Sequence, residues 1–311
     1  MPTLIASYIS SNIKIVLDNG FHGKVHSVFY RVVNIVDSDR LITITDETIG
    51  DVPNGIRAVK DGQWGFNDGF IRQGGQVASR NGSLVFCESG LNIDYSNATL
   101  ISSRQYLKDD LLNPTEQAIV LGQMLEVGDK LAPEEGLCPL WHHVGAILEN
   151  ETDDLNYLSP MARVGYTALV KTVDGLKRRD ENTFLQGIKK LAGLGAGLTP
   201  SGDDILTGLC GAYALLTEKT GCVDFMKVID QVPALIKNAT NRIAYSYVEG
   251  AVKGEITGLL SKFISVLVSG PSNQLMPLSK QLFSIGGTSG AELALGAFIG
   301  IVVFGETHGI V

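Results

Sequence analysis

The spacing of hydrophobic and polar positions changes about a third of the way along this chain. In the first hundred or so residues the apolar positions come in short runs rich in Val, Ile, Thr and Phe, at residues 25–36, 41–45 and 77–87, with turn residues between them. Such runs predict β-strands, because branched and aromatic side chains fit a pleated, half-buried surface. Asn81-Gly82 interrupts the last run and tolerates the positive φ of a two-residue hairpin, so strands are expected at 77–80 and 83–87. Within 41–45, Ile42 and Ile44 share one face, with the threonines on the other. A small barrel or sandwich follows.

From Asn113 onward the spacing is helical. Asn113 can cap a helix, Pro114 fills a first position that needs no N–H, and Glu116 favours the positive end of the helix dipole. Ser159-Pro160 repeats the cap-then-proline signal before a helix reaching residue 179 or so. Phe184, Leu185, Ile188 and Leu191 form one apolar stripe, and residues 234–252, 255–268 and 273–283 predict further helices. Residues 133–152 are the least regular part. The apolar run from Leu293 to Phe304 has 12 residues between Glu292 and Glu306, short of the roughly 20 that a bilayer needs, and predicts a buried helix. The expected fold is α+β, with a β-rich domain at residues 1–112 and an all-helical domain at 113–311.

Composition narrows the partners. A chain of 311 residues can bury the cores of two domains. Its net charge of −8 argues against nucleic acid and against an anionic membrane, both of which need a basic footprint. Cys87, Cys138, Cys210 and Cys222 have neither CxxC spacing nor a disulfide pattern, and residues 1–19 lack the build of a signal peptide, so a reducing cytoplasm is expected.

The chemistry concentrates in Gly193-Leu194-Gly195-Ala196-Gly197-Leu198-Thr199-Pro200-Ser201-Gly202-Asp203-Asp204. Three alternating glycines lead into Thr-Pro-Ser-Gly, and an apolar helix begins at about Gly202. A helix start leaves four N–H groups without internal partners and carries about half a positive charge. Glycines beside it let a phosphate, carboxylate or carbamoyl group approach those donors. A second segment, Gly286-Gly287-Thr288-Ser289-Gly290-Ala291-Glu292, enters the other apolar run. Aligning Ser201 with Ser289 pairs Asp204 with Glu292 and Gly208 with Gly296, so both read S-G-x-[D/E]-x-x-x-G. The two are expected to be equivalent helix starts that face one cleft and grip different ends of a ligand.

A plainer reading exists for each feature. Ser201…Asp204 and Ser289…Glu292 are also capping-box patterns, and Gly208 and Gly296 also suit close helix packing. Asp203 and Asp204 would repel an anion unless one holds Mg²⁺ or a substrate amide; no other cofactor is expected. Lys189, Lys190 and Arg242 are the nearest counter-charges in sequence, and a solvated helix face explains the lysines equally well. His22, His26 and Trp141-His142-His143 fit no metal pattern. Thr240-Asn241-Arg242-Ile243 opens a helix that could line the cleft. No Ser-His-Asp order, Walker lysine or zinc quartet is visible.

Gly195-Ala196-Gly197-Leu198-Thr199-Pro200-Ser201-Gly202-Asp203-Asp204 resembles the signature of the AllH-type family. The resemblance extends to Gly23-Lys24-Val25-His26-Ser27-Val28-Phe29 with Asn34-Ile35, to Thr240–Ile243 with Gly254-Glu255, and to Ile285-Gly286-Gly287-Thr288-Ser289-Gly290. Asn241, Ala244 and Ala291-Glu292 depart from the residues usual at those positions. The resemblance implies one subunit of a multi-component oxamate carbamoyltransferase in purine (allantoin) catabolism, interconverting oxalurate plus phosphate with oxamate plus carbamoyl phosphate. On that reading Gly195, Gly197, Thr199, Ser201 and Gly202 bind the phosphate or carbamoyl end. Thr288, Ser289 and Gly290 orient a carboxylate, Asp203 or Asp204 holds the amide nitrogen or a metal, and Lys190, Thr240 and Arg242 are accessory. Two other classes stand beside it: a galactokinase-like small-molecule kinase, from the glycine/serine loop, and a non-catalytic subunit that binds metabolite or scaffolds its partners.

Overall fold

The computed structural model describes residues 3–309 apart from 39, 50, 61, 63, 103–106, 108, 109 and 152. It divides into two compact units, Met1–Gln105 and Tyr106–Val311.

The first unit is a closed barrel. Its strands are β1 (Thr3–Ser10), β2 (His22–Val28), β3 (Val32–Val36), β4 (Leu41–Thr45), β5 (Gly55–Val59), β6 (Gln76–Arg80), β7 (Ser83–Phe86), β8 (Asn92–Asp94) and β9 (Thr99–Ile101), with helix α1 (Ser11–Asp18) after β1. Neighbours run β5-β4-β3-β2-β6-β7-β8-β1, and β1 pairs back onto β5, which closes eight strands into a ring and excludes the sandwich. β9 pairs with Tyr8–Ser10, beyond the Thr3–Ile5 stretch that β8 occupies, so the two share one edge of β1. The hairpin stands where Asn81-Gly82 predicts it, both residues at positive φ between β6 and β7. Ile42 and Ile44 face the barrel core. The threonine face of β4 is buried as well. There Thr43 donates to Asn34 Oδ1 at 3.0 Å and Asn34 Nδ2 donates to Ser27 Oγ at 3.0 Å, so the covered polar groups have partners.

Among the described residues the second unit is entirely helical. Its helices are α2 (Pro114–Leu131), α3 (Val144–Glu149), α4 (Pro160–Arg178), α5 (Glu181–Leu191), α6 (Ser201–Thr220), α7 (Met226–Ile229), α8 (Val232–Ile236), α9 (Arg242–Ala251), α10 (Gly258–Ser269), α11 (Leu275–Phe283) and α12 (Ser289–His308). Asn113 starts α2 with a full capping box: its side chain accepts from Glu116 N–H at 3.0 Å while Glu116 accepts from Asn113 N–H at 3.2 Å. Ser159 caps α4 through the Ala162 N–H. The irregular stretch holds only the 3₁₀ turn Cys138–His143 and the short α3; Thr152 lies outside the described residues.

The helix expected over 234–252 is two helices. α8 stops at Ile236, and Asn241 opens α9 by accepting the Ile243 and Ala244 N–H groups. Asn241 also reaches out to donate to Leu198 O at 2.9 Å, a tertiary contact that ties the start of α9 to the first glycine loop. α10 begins at Gly258 rather than residue 255, capped by Thr257.

α6 and α12, each 20 residues, form the centre of this unit and are buried nearly all round. Hydrophobicity on every face makes them core helices rather than surface ones. α12 is, among the described residues, the one helix with the length and apolarity to cross a membrane, and it lies inside the helical unit. α6 and α12 touch backbone to backbone: a Cβ on Gly208 would collide with the Leu293 carbonyl oxygen, and one on Gly296 with that of Ile205. The plain packing reading of these glycines therefore holds, and it fixes the two helix starts side by side.

Candidate functional site

Both central helices begin at the serine. Ser201 and Ser289 are the first residues of α6 and α12, and the cap positions belong to Pro200 and Thr288, neither of which makes a side-chain cap. The capping-box reading of S-x-x-acid is thus incorrect. The serine sits one residue inside the helix, where its hydroxyl cannot serve the usual donors, and the acid is free for tertiary contacts.

The preceding loops are built alike. α5 ends at Leu191, whose carbonyl accepts Leu194 N–H at 2.9 Å, and Leu194 O then accepts Gly202 N–H at 2.8 Å. α11 ends at Phe283, where Leu282 O accepts Ile285 N–H at 3.0 Å and Ile285 O accepts Gly290 N–H at 3.1 Å. Gly202 and Gly290 consequently offer no N–H to a ligand. They serve by letting the helix start lean on the carbonyls of Leu191 and Leu282, where any Cβ would clash. Among the described residues, the N–H groups of Ser201 and Ser289 have no hydrogen-bond partner. The first loop passes through Gly193, Gly195 and Gly197 at φ of 69°, 120° and 100°, a path that other residues adopt only with strain.

The two starts converge. Thr199 Oγ1 lies 3.1 Å from Ser289 Oγ, tying the first loop to the second helix. Gly136 sits against both: a Cβ there would collide with Glu292 Oε1 and come within 3.1 Å of Ser201 Oγ and 3.2 Å of Thr288 Oγ1. Ala196, Gly197 and Leu198 of the first loop and Gly286-Gly287 of the second are exposed, with the acids beneath them.

Three buried carboxyls meet three different environments. Asp203, 1% exposed, is fully engaged: Oδ1 accepts Gly193 N–H at 3.0 Å and Oδ2 accepts the Thr240 hydroxyl. Burial raises its pKa, against the pull of those two donors. Glu292 is wholly buried, with Oε1 accepting Leu137 N–H at 2.8 Å and Oε2 accepting the Thr288 hydroxyl at 2.9 Å. Asp204 is 5% exposed and its Oδ2 has no hydrogen-bond partner. Burial holds its pKa well above the ordinary carboxylate range, the charges of Glu292 and Asp203 add to this, and the Ser289 and Thr199 hydroxyls pull the other way. A buried acid without a donor is costly unless it is neutral or meets a ligand.

Thr199, Ser201, Thr288 and Ser289 therefore come together, with Asp204 beneath them. Thr240 belongs to the support of Asp203. Lys190 is exposed on the last turn of α5, and among the described residues no hydrogen bond or ion pair joins it to the loop. Arg242, half-buried, is the first residue of α9. His143 is a satisfied core residue between Asp153 Oδ2 and the Tyr157 hydroxyl, each at 2.6 Å. Among the described residues no three His, Cys, Asp or Glu side chains gather as a metal ion requires. Sequence reasoning missed Gly136, Leu137 and Cys138, which reach the site from the irregular segment. Cys138 donates to Thr288 O at 3.6 Å, and burial, with Glu292 and Asp204 near, pushes its thiol far above the usual range.

A family described as AllH, oxamate carbamoyltransferase subunit AllH, matches residues 191–301, which hold both loops and both central helices. The AllH family N-terminal domain matches residues 5–100, the barrel. The chain belongs to the AllH family. No curated protein and no solved structure matches it. As an AllH protein it is a carbamoyltransferase-related subunit, and the family name places it among other subunits of a complex. The family match covers the Asn241 departure, whose side chain here links α9 to the first loop, and the Glu292 departure, whose carboxylate here fixes Leu137.

Proposed function

We propose that this subunit holds the small anionic reactants of an oxamate carbamoyltransferase between its two helix starts. In that reaction a phosphate oxygen attacks the ureido carbonyl of oxalurate and the C–N bond to the oxamate nitrogen breaks. Oxamate leaves with the proton that phosphate gives up, and carbamoyl phosphate forms. Oxalurate, oxamate and carbamoyl phosphate each join an anionic group to an N–H-bearing one.

The observation that carries the reading is the Thr199–Ser289 contact above Asp204. It gathers two positive helix ends, the unpartnered Ser201 and Ser289 amides and one buried acceptor in a single small site. The helix ends suit the anionic groups. On this reading the first loop takes the phosphate or carbamoyl end, Thr288 and Ser289 orient the carboxylate, and donors fixed in advance stabilise the charged tetrahedral species.

The test is co-expression with the partner subunits and an assay of phosphate-dependent oxalurate breakdown. Ser201→Pro removes the unpartnered N–H at a first helical position, where proline is tolerated, and is expected to lower the rate by about 100-fold, the usual cost of removing one fixed donor. Full activity in that variant would overturn the reading. A second reading, a subunit that binds ligand while another chain does the chemistry, is favoured by Cys138. The thiol nearest the acids is held protonated and is no nucleophile. Carbamoyl phosphate turnover by the purified chain alone would exclude this second reading.

A further inference from the structure

α6 and α12 meet through a reciprocal pair of glycine-to-carbonyl contacts. Gly208 leans on the Leu293 carbonyl and Gly296 on the Ile205 carbonyl. Ile205 is four residues after Ser201, and Leu293 is four after Ser289. The Leu191–Leu194–Gly202 and Leu282–Ile285–Gly290 hydrogen-bond chains extend the relation back through both loops. Asp204 and Glu292 are thus equivalent positions in two copies of one arrangement.

The copies differ in what their acids meet. Glu292 Oε1 accepts a peptide N–H, that of Leu137, brought in by the Gly136 turn. Its other oxygen accepts the Thr288 hydroxyl. On the Asp204 side the Thr199 and Ser289 hydroxyls play the part of Thr288, and Oδ2 is the acceptor with no donor. The chain itself shows what this arrangement binds: an amide N–H.

We propose that Asp204 Oδ2 reads an amide N–H of the bound ligand, as Glu292 Oε1 reads that of Leu137, and so selects amide-bearing anions over isosteres without the N–H. This rests on the anion site proposed above and names the residue that sets its specificity. An isostere with a methyl group would leave Oδ2 buried and unpaired, and a site built around a hydrogen bond rejects such a partner strongly.

Oxamate and pyruvate make the test, since they share charge and shape and differ in NH₂ against CH₃. Calorimetric titration of the full-length chain is expected to give at least roughly tenfold tighter binding of oxamate. Asp204→Leu, which keeps the branched skeleton and has no acceptor, is expected to bring the two affinities together while pyruvate binding persists, which also reports an intact site. Asp204→Asn, which keeps one acceptor oxygen, is expected to retain part of the preference. Equal binding of both anions by the unaltered chain overturns the role of Asp204 and leaves the anion site standing. An undiminished oxamate preference in Asp204→Leu overturns it as well. Binding of neither anion overturns both.

Discussion

At Asp203 both carboxyl oxygens are taken, one by the Gly193 N–H and the other by the Thr240 hydroxyl, so this side chain pins the glycine loop to the turn before α9. Asp203→Ala would strand both donors, and an equilibrium urea titration should show a loss of about 3 kcal/mol. At Asp204 the opposite change is expected. Its unfolded carboxyl titrates near 3.8, and burial raises the folded value well above that. Between the two values the folded state binds more protons than the unfolded one, so this group's contribution makes stability fall as pH rises through that window. Asp204→Asn removes the penalty. It should be more stable than the unaltered chain by about 1–3 kcal/mol at pH 7, because the amide carries no charge for burial to penalise. Urea titrations from pH 8 down to pH 4 should show the gap closing, and a gap that stays constant would contradict the assignment. The S-G-x-[D/E] pattern singled out the two aspartates as candidates, but not their different surroundings. Their surroundings come from Gly193, Thr240, Ser289 and Glu292, which no pattern in residues 201–204 specifies.

Among elements, the pair α6 and α12 decides where everything else sits. Gly208→Ala and Gly296→Ala each drive a methyl group into a facing carbonyl, and each should destabilise by about 3 kcal/mol or separate the helix starts. Gly122→Ala on α2 is the matched control. It meets nothing within 4 Å, and the removal of a flexible residue from a helix should stabilise by about 0.5–1 kcal/mol. Thermal melts of the three variants check both signs. Elements set by neighbouring residues were readable: the Asn113 capping box, the Ser159 cap and the Asn81-Gly82 turn all lie within a few residues of what they organise. The break between α8 and α9 was not readable. Helical periodicity runs through it, while Thr240 and Asn241 are drawn out of helix by Asp203 and Leu198, about 40 residues away.

At the scale of the molecule, the barrel and the helical unit have separate cores with no residue in common, and every residue of the candidate site lies in Tyr106–Val311. A chain starting at residue 106 should therefore melt cooperatively and bind oxamate as the full-length chain does; calorimetry on both checks this. The change of apolar spacing near Asn113, the two fold classes on either side of it and the repeated loop-to-helix motif were all determined by the sequence itself, because strand alternation, helix starts and turns depend on residues within a turn or two of one another. Tertiary structure alone decided that β1 closes onto β5, that the two loops share one site, and that Glu292 is satisfied while Asp204 is not. The contacts responsible join residues 90 positions apart at Thr199–Ser289 and 155 apart at Leu137–Glu292. Such separations carry no periodic signal. They exist only once α6 and α12 have packed glycine to carbonyl and brought both starts to the same place.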